Sequence, residues 1–579
     1  MFRSSAQLLR APYLLNKIRL CTPQALWPVK QNSSSASSVY LAGQRSQALV
    51  GEARISLAHV PRNLRTPPLV PPRPSSSESS PCRIRSCNTH PEIPRTSRAS
   101  RCYIRIADTH SYPPIRIRTL HRYHDAPHAS AAMASDTMNF SIPPALQQYL
   151  TGLDAFIEAK IVPLQKIDDN DRFFDHRREH ARTDWDNGGL PRPEWEALLG
   201  QCRRLADEAG FYRHSLPKQY GGRSAEDGRG SNLWMAVIRE HLAAKGLGLF
   251  NDLQNEHSVV GNFPDVVMVI NYGNSQQREE LIGGRLKGKV RITFGLTEPG
   301  HGSDATHMDT RGRPEKRNGV DGWVLDGRKK WQTGMHAATH CFIFARTQGE
   351  NGQAKGISCF VVPRETPGLE VESYEWTLNM PTDHATVSIK NVWVPSTSVL
   401  GPIHNGLGVA QAFVHENRIR QAASSLGAAL YCIHESVSYA NARAPFGTPL
   451  SHNQAIQFPL VELATQAEML RQLIRKAAVE MDSMPHVEVE KRIGDKVSMC
   501  NYWANRLCCE AADRAIQVHG GNGYSRHWPF EHIWRHHRRY RITEGSEEIQ
   551  MRKVAAYLFG FGGRKSTADA TVADKEAKL

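Results

Sequence analysis

Apolar residues between 143 and 161 recur at spacings of four and three (Leu146, Leu150, Leu153, Ile157, Ile161), which places them on one face of a helix. A second helical stretch covers about 232–250, LWMAVIREHLAAKGLGLF. Between the two run loops rich in turn residues, such as KQYGGRSAEDGRGSN. From 290 to 398 the rhythm shortens: β-branched and aromatic runs (KVRITFGL, CFIFART, ISCFVVP, ATVSIKNVWVP) alternate with Gly, Asn and Asp. With no long helix between them, these runs predict an antiparallel sheet closed as a barrel or sandwich, not a parallel βαβ sheet. Beyond about 405 the helical spacing returns at Ile456, Leu460, Leu463, Ala467, Leu470 and Ile474, and Pro459 is expected to kink or restart that helix near its beginning. The predicted class is α+β, with a helical domain over 140–288, a middle β domain over 289–400 and a C-terminal helical domain over 404–562.

Charge changes this picture only at the N-terminus. The net charge is +15, but residues 1–132 hold 19 Arg and Lys against 5 Asp and Glu, so the body is nearly neutral. That removes the electrostatic basis for nucleic-acid binding by the body. Residues 1–135 are rich in Ser, Pro and Arg with little apolar periodicity, which predicts a disordered arm. The arm is either an organelle-targeting segment or sequence upstream of a start at Met133 or Met138. At the other end a polar tail, 563–579, finishes in Ala577-Lys578-Leu579, a close variant of the S-K-L peroxisomal address. A peroxisomal location is the expectation, with the mitochondrion as the alternative. Four of the eleven cysteines lie in the arm; the other seven show no C-x-x-C pair and no zinc spacing, so reduced thiols and no metal are expected. No apolar run approaches the roughly 20 residues of a membrane span.

The candidate chemistry lies in five segments. FGLTEPGHGSDA, 294–305, ends a predicted strand and opens into a loop with Gly300, Gly302, Thr297 and Ser303, where backbone N–H groups can face a ligand. It is followed by DGRKKWQTG at 326–334, ARAPFG at 442–447, QVHGGNGYS at 517–525 and ITEGSEEIQ at 542–550. In order and spacing these resemble the acyl-CoA dehydrogenase family, over about 145–560. The resemblance implies a helical, a β and a four-helix domain that bind FAD between subunits of a homodimer or homotetramer. It further implies an acyl-CoA substrate, with either an electron-transfer flavoprotein or O₂ as electron acceptor.

Carried over by position, the resemblance assigns Phe294, Leu296, Thr297 and Ser303 to the flavin loop, with Ser303 also reaching substrate. Trp331 and Thr333 would flank the flavin ring. Arg443, Phe446, Asn453 and Gln454 would reach the FAD of a neighbouring subunit, and Gln517, His519, Gly520 and Gly521 would hold its adenosine half. Arg418, in HENRIR, would line the acyl-CoA site, although His415 stands where an acid is usual. His307 replaces a small residue, and GHGS with His301 is similar to the acyl-CoA oxidases, which keeps an O₂-linked reaction as the alternative.

Desaturation of a thioester between Cα and Cβ needs a base, donors for the developing enolate oxygen and a hydride acceptor. Glu544 occupies the family's catalytic glutamate position, and Gly545 leaves room for the thioester. Ser546 reads as the N-cap of a last helix with Glu547 and Glu548 as first-turn acids. By resemblance, Ser546 and Glu548 also lie near FAD. The basic run RHHRRY before them is expected to form ion pairs or a solvated face.

Overall fold

Leu146, Leu150, Leu153, Ile157 and Ile161 are all buried, and helix α1 (Pro144–Phe156), which begins the stripe, continues through one wider π turn at Ile157–Ile161. The computed structural model describes residues 141–226, 228–252 and 258–560, so the N-terminal arm and the tail with Ala577-Lys578-Leu579 lie outside the described residues. Helices α2 (Pro193–Glu208), α3 (Asn232–Ala244) and α4 (Pro264–Tyr272) join α1 in the first helical layer. Trp195 of α2 is fully buried in the core that α2 and α3 share with α1. The α3 helix stops at Ala244, short of the expected 250, because Gly246 turns left-handed at φ 90°. A short pairing of Thr183–Asp184 with Leu190–Pro191 interrupts this layer; two residues per strand leave no alternation for a sequence to display.

The middle region forms an 8-stranded sheet. Its strands are β1 (Ile292–Gly295), β2 (Arg311–Arg317), β3 (Val320–Thr333), β4 (His340–Arg346), β5 (Ile357–Pro363), β6 (Leu369–Tyr374), β7 (His384–Pro395) and β8 (Val399–Leu400). The order is β8-β5-β4-β2-β3-β7-β6, with β1 paired beside β4. Most neighbours are antiparallel, but β1 runs parallel to β4, and β2 meets β4 in one parallel pair. Strand β4 is covered on both faces. Phe342 and Phe344 enter a core shared with Val266 and Val269 of α4, while Cys341, Ile343 and Ala345 enter a second core with Ile389 and Val392 of β7. That double burial is why CFIFAR reads as an unbroken apolar run.

Five further helices complete the chain: α5 (Gly406–Ala442), α6 (Gln454–Asp482), α7 (His486–His519), α8 (Phe530–Tyr540) and α9 (Glu547–Leu558). The α5 helix is the central member, buried at Ile419, Ala422, Ala423, Leu426, Ala429 and Cys432. A Cβ on Gly427 would lie 2.3 Å from the carbonyl oxygen of Glu240, so α5 and α3 cross in backbone contact there. Contrary to expectation, α6 runs unbroken through Pro459. Pro459 falls in the second turn, where it deprives only the carbonyl of Ala455 of a helical donor, and Ala455 is open to water. No helix among the described residues is long and apolar enough to cross a membrane.

Candidate active site

Glu544 lies in a short loop between α8 and α9 that is closed on itself by charge. The Arg541 guanidinium donates to both carboxylate oxygens of Glu547 at 2.8 and 3.0 Å, and the Glu547 N–H donates to the Arg541 carbonyl at 3.0 Å. Glu547 also accepts from Arg506 at 3.2 Å and is buried, so it staples the loop, where only a first-turn acid was expected. Ser546 caps α9 as expected, its Oγ accepting from the Ile549 N–H at 3.5 Å, and Glu548 is exposed.

Inside this loop Glu544 has a left-handed backbone, φ 57°, which disfavours a side-chain-bearing residue by about 1–2 kcal/mol. Two clamps hold it. Arg418 donates from Nε (3.0 Å) and Nη2 (2.6 Å) to the Glu544 carbonyl, and Gln550 Nε2 donates to the Gly545 carbonyl at 2.8 Å. Gln550 is itself bonded to Asn501 Oδ1 at 2.7 Å, and Asn501 donates to the Arg418 carbonyl at 3.0 Å. Asn505 extends the chain, donating to Asn501 Oδ1 (3.1 Å) and to the Tyr540 carbonyl (2.9 Å). A buried relay of amides on α7 and α9 thus fixes both peptide groups that follow the Glu544 side chain. The Glu544 N–H meets no acceptor among the described residues and remains free to donate to a ligand.

The Glu544 side chain is half-buried, and its withdrawal from water pushes its pKa up to about 7. The Arg418 charge and a hydrogen bond from Asn417 Nδ2 at 3.3 Å oppose this without overcoming it. Behind Arg418 lies Glu490. Burial acts to raise its pKa, but contact with His415 Nε2 (2.9 Å) and Lys553 Nζ (2.7 Å) takes it down to about 2. Burial holds His415 at about 4, hence neutral at physiological pH. Arg418 was expected to line the acyl-CoA site; the structure turns two of its nitrogens to the main chain of Glu544. Only Nη1, buried and without a partner among the described residues, is left for a ligand.

The β-domain contribution is anchored by a buried ion pair absent from the expected site. Lys329 Nζ lies 2.8 Å from Glu298 Oε1 and donates to the Leu296 carbonyl at 3.1 Å. Burial lowers the Lys329 pKa to about 8, and Glu298 also receives the N–H groups of Asp309 (2.6 Å) and Thr310 (2.9 Å). This ties the 294–303 loop to the end of β3, where the Thr297 carbonyl accepts from the Lys330 N–H at 2.9 Å. At that point the β3–β7 register slips between Lys329 and Gln332. The resulting bulge gives Trp331 φ 62° and leaves its indole 47% exposed, next to exposed Thr333, whose hydroxyl meets His384 Nδ1 at 3.0 Å. Phe294 stacks on Phe413 of α5 at 4.4 Å, five residues before Arg418, which joins the two halves of this site; Ser303 is exposed.

The remaining candidates gather elsewhere. Arg443, His519, Gly520 and Gly521 line one open groove of about 650 Å³, together with Tyr439 and Leu450. Phe446 beside it is wholly exposed with φ 58°, Asn453 caps α6 by accepting from the Ala455 N–H at 2.9 Å, and Gln454 and Gln517 are exposed. The Gly520 backbone (φ 59°, ψ −129°) is one that only glycine adopts readily. His519 Nδ1 faces the Ala515 carbonyl at 2.8 Å, while its buried Nε2 has no partner among the described residues. Arg418 lies a third of the way along α5 and the groove at its C-terminal end, and from Arg418 to Ala442 the helix rises about 36 Å. The candidates therefore form two half-sites on one rod.

Backbone geometry singles out the same positions independently. Eight non-glycine residues have positive φ among those described: Asp168, Asp169, Asn318, Trp331, Asn391, His404, Phe446 and Glu544. Five are Asp, Asn or His, which tolerate that conformation; Trp331, Phe446 and Glu544 do not, and all three are candidate site residues. An exposed indole can pack on a planar ring, and the glycine turn, the imidazole nitrogen without a partner among the described residues and the exposed Arg443 can donate to phosphate oxygens. Asn417, Gln550 and Asn501 were not anticipated, although Asn417 adjoins Arg418 and Gln550 ends the Glu544 motif.

Known proteins resemble this chain in sequence and fold. A profile of the acyl-CoA dehydrogenase C-terminal domain matches residues 404–559, and one of the middle domain matches 293–392. An acyl-CoA dehydrogenase of Bacillus subtilis is 32% identical over 349 residues, covering 60% of this chain and 86% of the relative. The caffeyl-CoA reductase-Etf complex subunit CarC of Acetobacterium woodii is 28% identical over 350 residues, covering 60% and 87%. Among solved structures, an acyl-CoA dehydrogenase from Geobacillus kaustophilus has the same fold, with a TM-score of 0.57 at 22% identity over 73% of this chain and all (100%) of that one. The chain belongs to the acyl-CoA dehydrogenase family, a family of oxidoreductases that use FAD.

Proposed function

We propose that this chain is an FAD-dependent acyl-CoA dehydrogenase that desaturates an acyl thioester between Cα and Cβ to a trans-2-enoyl-CoA. The observation that carries this reading is Glu544: a half-buried carboxyl with a pKa of about 7, held in a left-handed turn with its own N–H free. A base near neutrality suits a carbon acid, and a donor on the same residue suits the thioester oxygen whose negative charge grows as the Cα proton leaves. Arg418 and Gln550 keep both groups aimed by fixing the carbonyls that follow. Bound FAD supplies the acceptor for the hydride that leaves Cβ.

Phe294, Leu296, Thr297, Ser303, Trp331 and Thr333 would hold the flavin end. Arg443, Phe446, Asn453, Gln454, Gln517, His519, Gly520 and Gly521 would hold the other end for a neighbouring chain, because Phe294 stacks on α5 at Phe413, before Arg418, and about 36 Å of that helix runs from Arg418 to the groove end at Ala442. This supports a homodimer or homotetramer, as does the exposed stripe of Phe458, Val461 and Met469 on α6. The Etf-complex relative supports an electron-transfer flavoprotein as acceptor, whereas His301 in the GHGS turn favours O₂. The tail supports a peroxisomal address, checked by imaging the full chain with Leu579 deleted.

The test is anaerobic addition of a panel of acyl-CoA thioesters to FAD-loaded enzyme. Bleaching of the flavin with release of the enoyl product is expected, and no bleaching with any thioester overturns the proposal. Admitting air afterwards separates the acceptors, since rapid peroxide formation selects O₂.

A further inference from the structure

We propose that His301, His307 and Asp309 bind one divalent transition-metal ion of the zinc class. His301 Nε2 lies 3.0 Å from Asp309 Oδ2, and His307 Nε2 lies 3.9 Å from Asp309 Oδ1. One donor atom from each residue falls within 4.8 Å of the others. Tetrahedral zinc, with bonds of about 2.0–2.2 Å to imidazole nitrogen and carboxylate oxygen, sets neighbouring donors about 3.4 Å apart. The two observed separations, to different oxygens of the one carboxylate, bracket that value, and no donor pair exceeds 4.8 Å, so side-chain rotations that move donors by up to about 1.4 Å complete the ligand set. The imidazoles stack at 3.9 Å with their planes 22° apart, and both present Nε2 to the one carboxylate.

A simple ion pair needs only His301. At 3.9 Å the second imidazole gains little from Asp309 by itself, yet it lies with its nitrogen on the same carboxylate. The carboxylate is oriented from behind, as ligands in metal sites are: Asn351 Nδ2 donates to Asp309 Oδ1 at 3.1 Å. Asn351 Oδ1 accepts from the Met308 N–H at 3.2 Å, and the Asp309 N–H donates to Glu298 at 2.6 Å. On the other side, the His301 N–H donates to the Glu298 carbonyl at 3.2 Å. His301 and Asp309 are thus carried on backbone fixed to Glu298 of the buried Glu298–Lys329 pair, and the His307 N–H donates to the Asp304 carbonyl at 3.2 Å.

Two imidazoles and one carboxylate favour Zn²⁺, Co²⁺ or Ni²⁺ over Mg²⁺ or Ca²⁺, which prefer all-oxygen ligands. His301 and His307 are half-buried and Asp309 is exposed, so the fourth position opens to water. The ion would clip together the two ends of the loop that follows Thr297. The spacing H-x5-H-x-D matches none of the common zinc patterns, so the cluster forms only when the loop folds. The assignment does not depend on the flavin reading.

The full chain, dialysed against chelator, is titrated with ZnCl₂ and with MgCl₂ by calorimetry, and the bound metal is counted by mass spectrometry. CoCl₂ reports the ligand field by its visible absorption. One equivalent of Zn²⁺ per chain is expected to weaken at least tenfold in His301→Ala, His307→Ala and Asp309→Asn, with loss of the tetrahedral Co²⁺ bands and no comparable Mg²⁺ binding. Each variant is first shown to melt like the metal-free parent. Because the chain has 26 histidines, sites shared by parent and variants do not count. If the parent binds no Zn²⁺, or if parent and variants bind it equally, the cluster is only an ion pair with a stacked ring and the proposal is overturned.

Discussion

The Arg418 guanidinium grips the backbone carbonyl of Glu544 with two nitrogens, Nε at 3.0 Å and Nη2 at 2.6 Å, so its action on the candidate base runs through the main chain. A lysine has the charge but no fork. Arg418→Lys is expected to lower kcat about 10- to 100-fold, the equivalent of one charged hydrogen bond of about 1.5–3 kcal/mol, with little change in KM. Steady-state kinetics decide: an effect confined to KM would make Arg418 a substrate contact and nothing more.

Glu544→Gln should lower turnover by about 10²–10⁴-fold, the usual contribution of a positioned base, while flavin content stays constant. It should also alter stability with a defined sign. The folded pKa of about 7 exceeds the ordinary 4.5, so this group's contribution to stability is full below pH 4.5 and is lost as pH rises through 7. Relative to the parent, the variant gains nothing at pH 4.5 and up to about 3 kcal/mol at pH 8. Urea unfolding at the two pH values measures the gap.

The rising limb of kcat/KM against pH is expected near 7, where Glu544 loses its proton in the free enzyme. The Asn417 amide favours the carboxylate through its 3.3 Å bond, so Asn417→Leu should move that limb to higher pH. A limb that stays in place would remove Asn417 from the electrostatics of the base.

Glu298→Gln strands the fully buried Lys329 without a counter-charge, a change that costs about 3–5 kcal/mol in comparable pairs. The double variant Glu298→Gln with Lys329→Met should recover much of that loss. Thermal melts of the two variants separate charge burial from mere loss of packing.

Gly520→Ala meets no atom within 4 Å, yet its backbone at φ 59° resists a side chain. The expected penalty is about 1–3 kcal/mol of local strain unless the turn rearranges, read as weaker FAD retention on gel filtration with the melting temperature of the cofactor-free chain lowered by no more than several degrees. Unaltered FAD retention would place the adenosine half elsewhere.

What the sequence disclosed follows from what leaves a period. The α1 stripe and the apolar run of β4 are burial patterns, and burial is written residue by residue. Glu544 was legible because it lies in a short contiguous motif beside a glycine. The clamps were not. Arg418, Asn501 and Gln550 are separated by tens of residues and meet only when α5, α7 and α9 pack, and an amide on a helix carries no mark of its partner. Glu547 was read as a helix-start acid because its spacing fits that role; its second role depends on Arg506, on another helix. The basic run before the motif resolved in the same way, with His536 and His537 buried against neighbouring helices and Arg535 paired with Glu179 and Glu531.

The length of α5 has a genetic consequence. On the proposed reading, every reaction centre borrows Glu544 from one chain and Arg443 from its neighbour, so lesions at the two residues need not add. When a Glu544→Gln chain pairs with an Arg443→Ala chain, both defects fall in one centre and the other centre is intact. Two alleles that are each inactive alone would then complement one another in a mixed cell, restoring up to half of the activity of the paired centres.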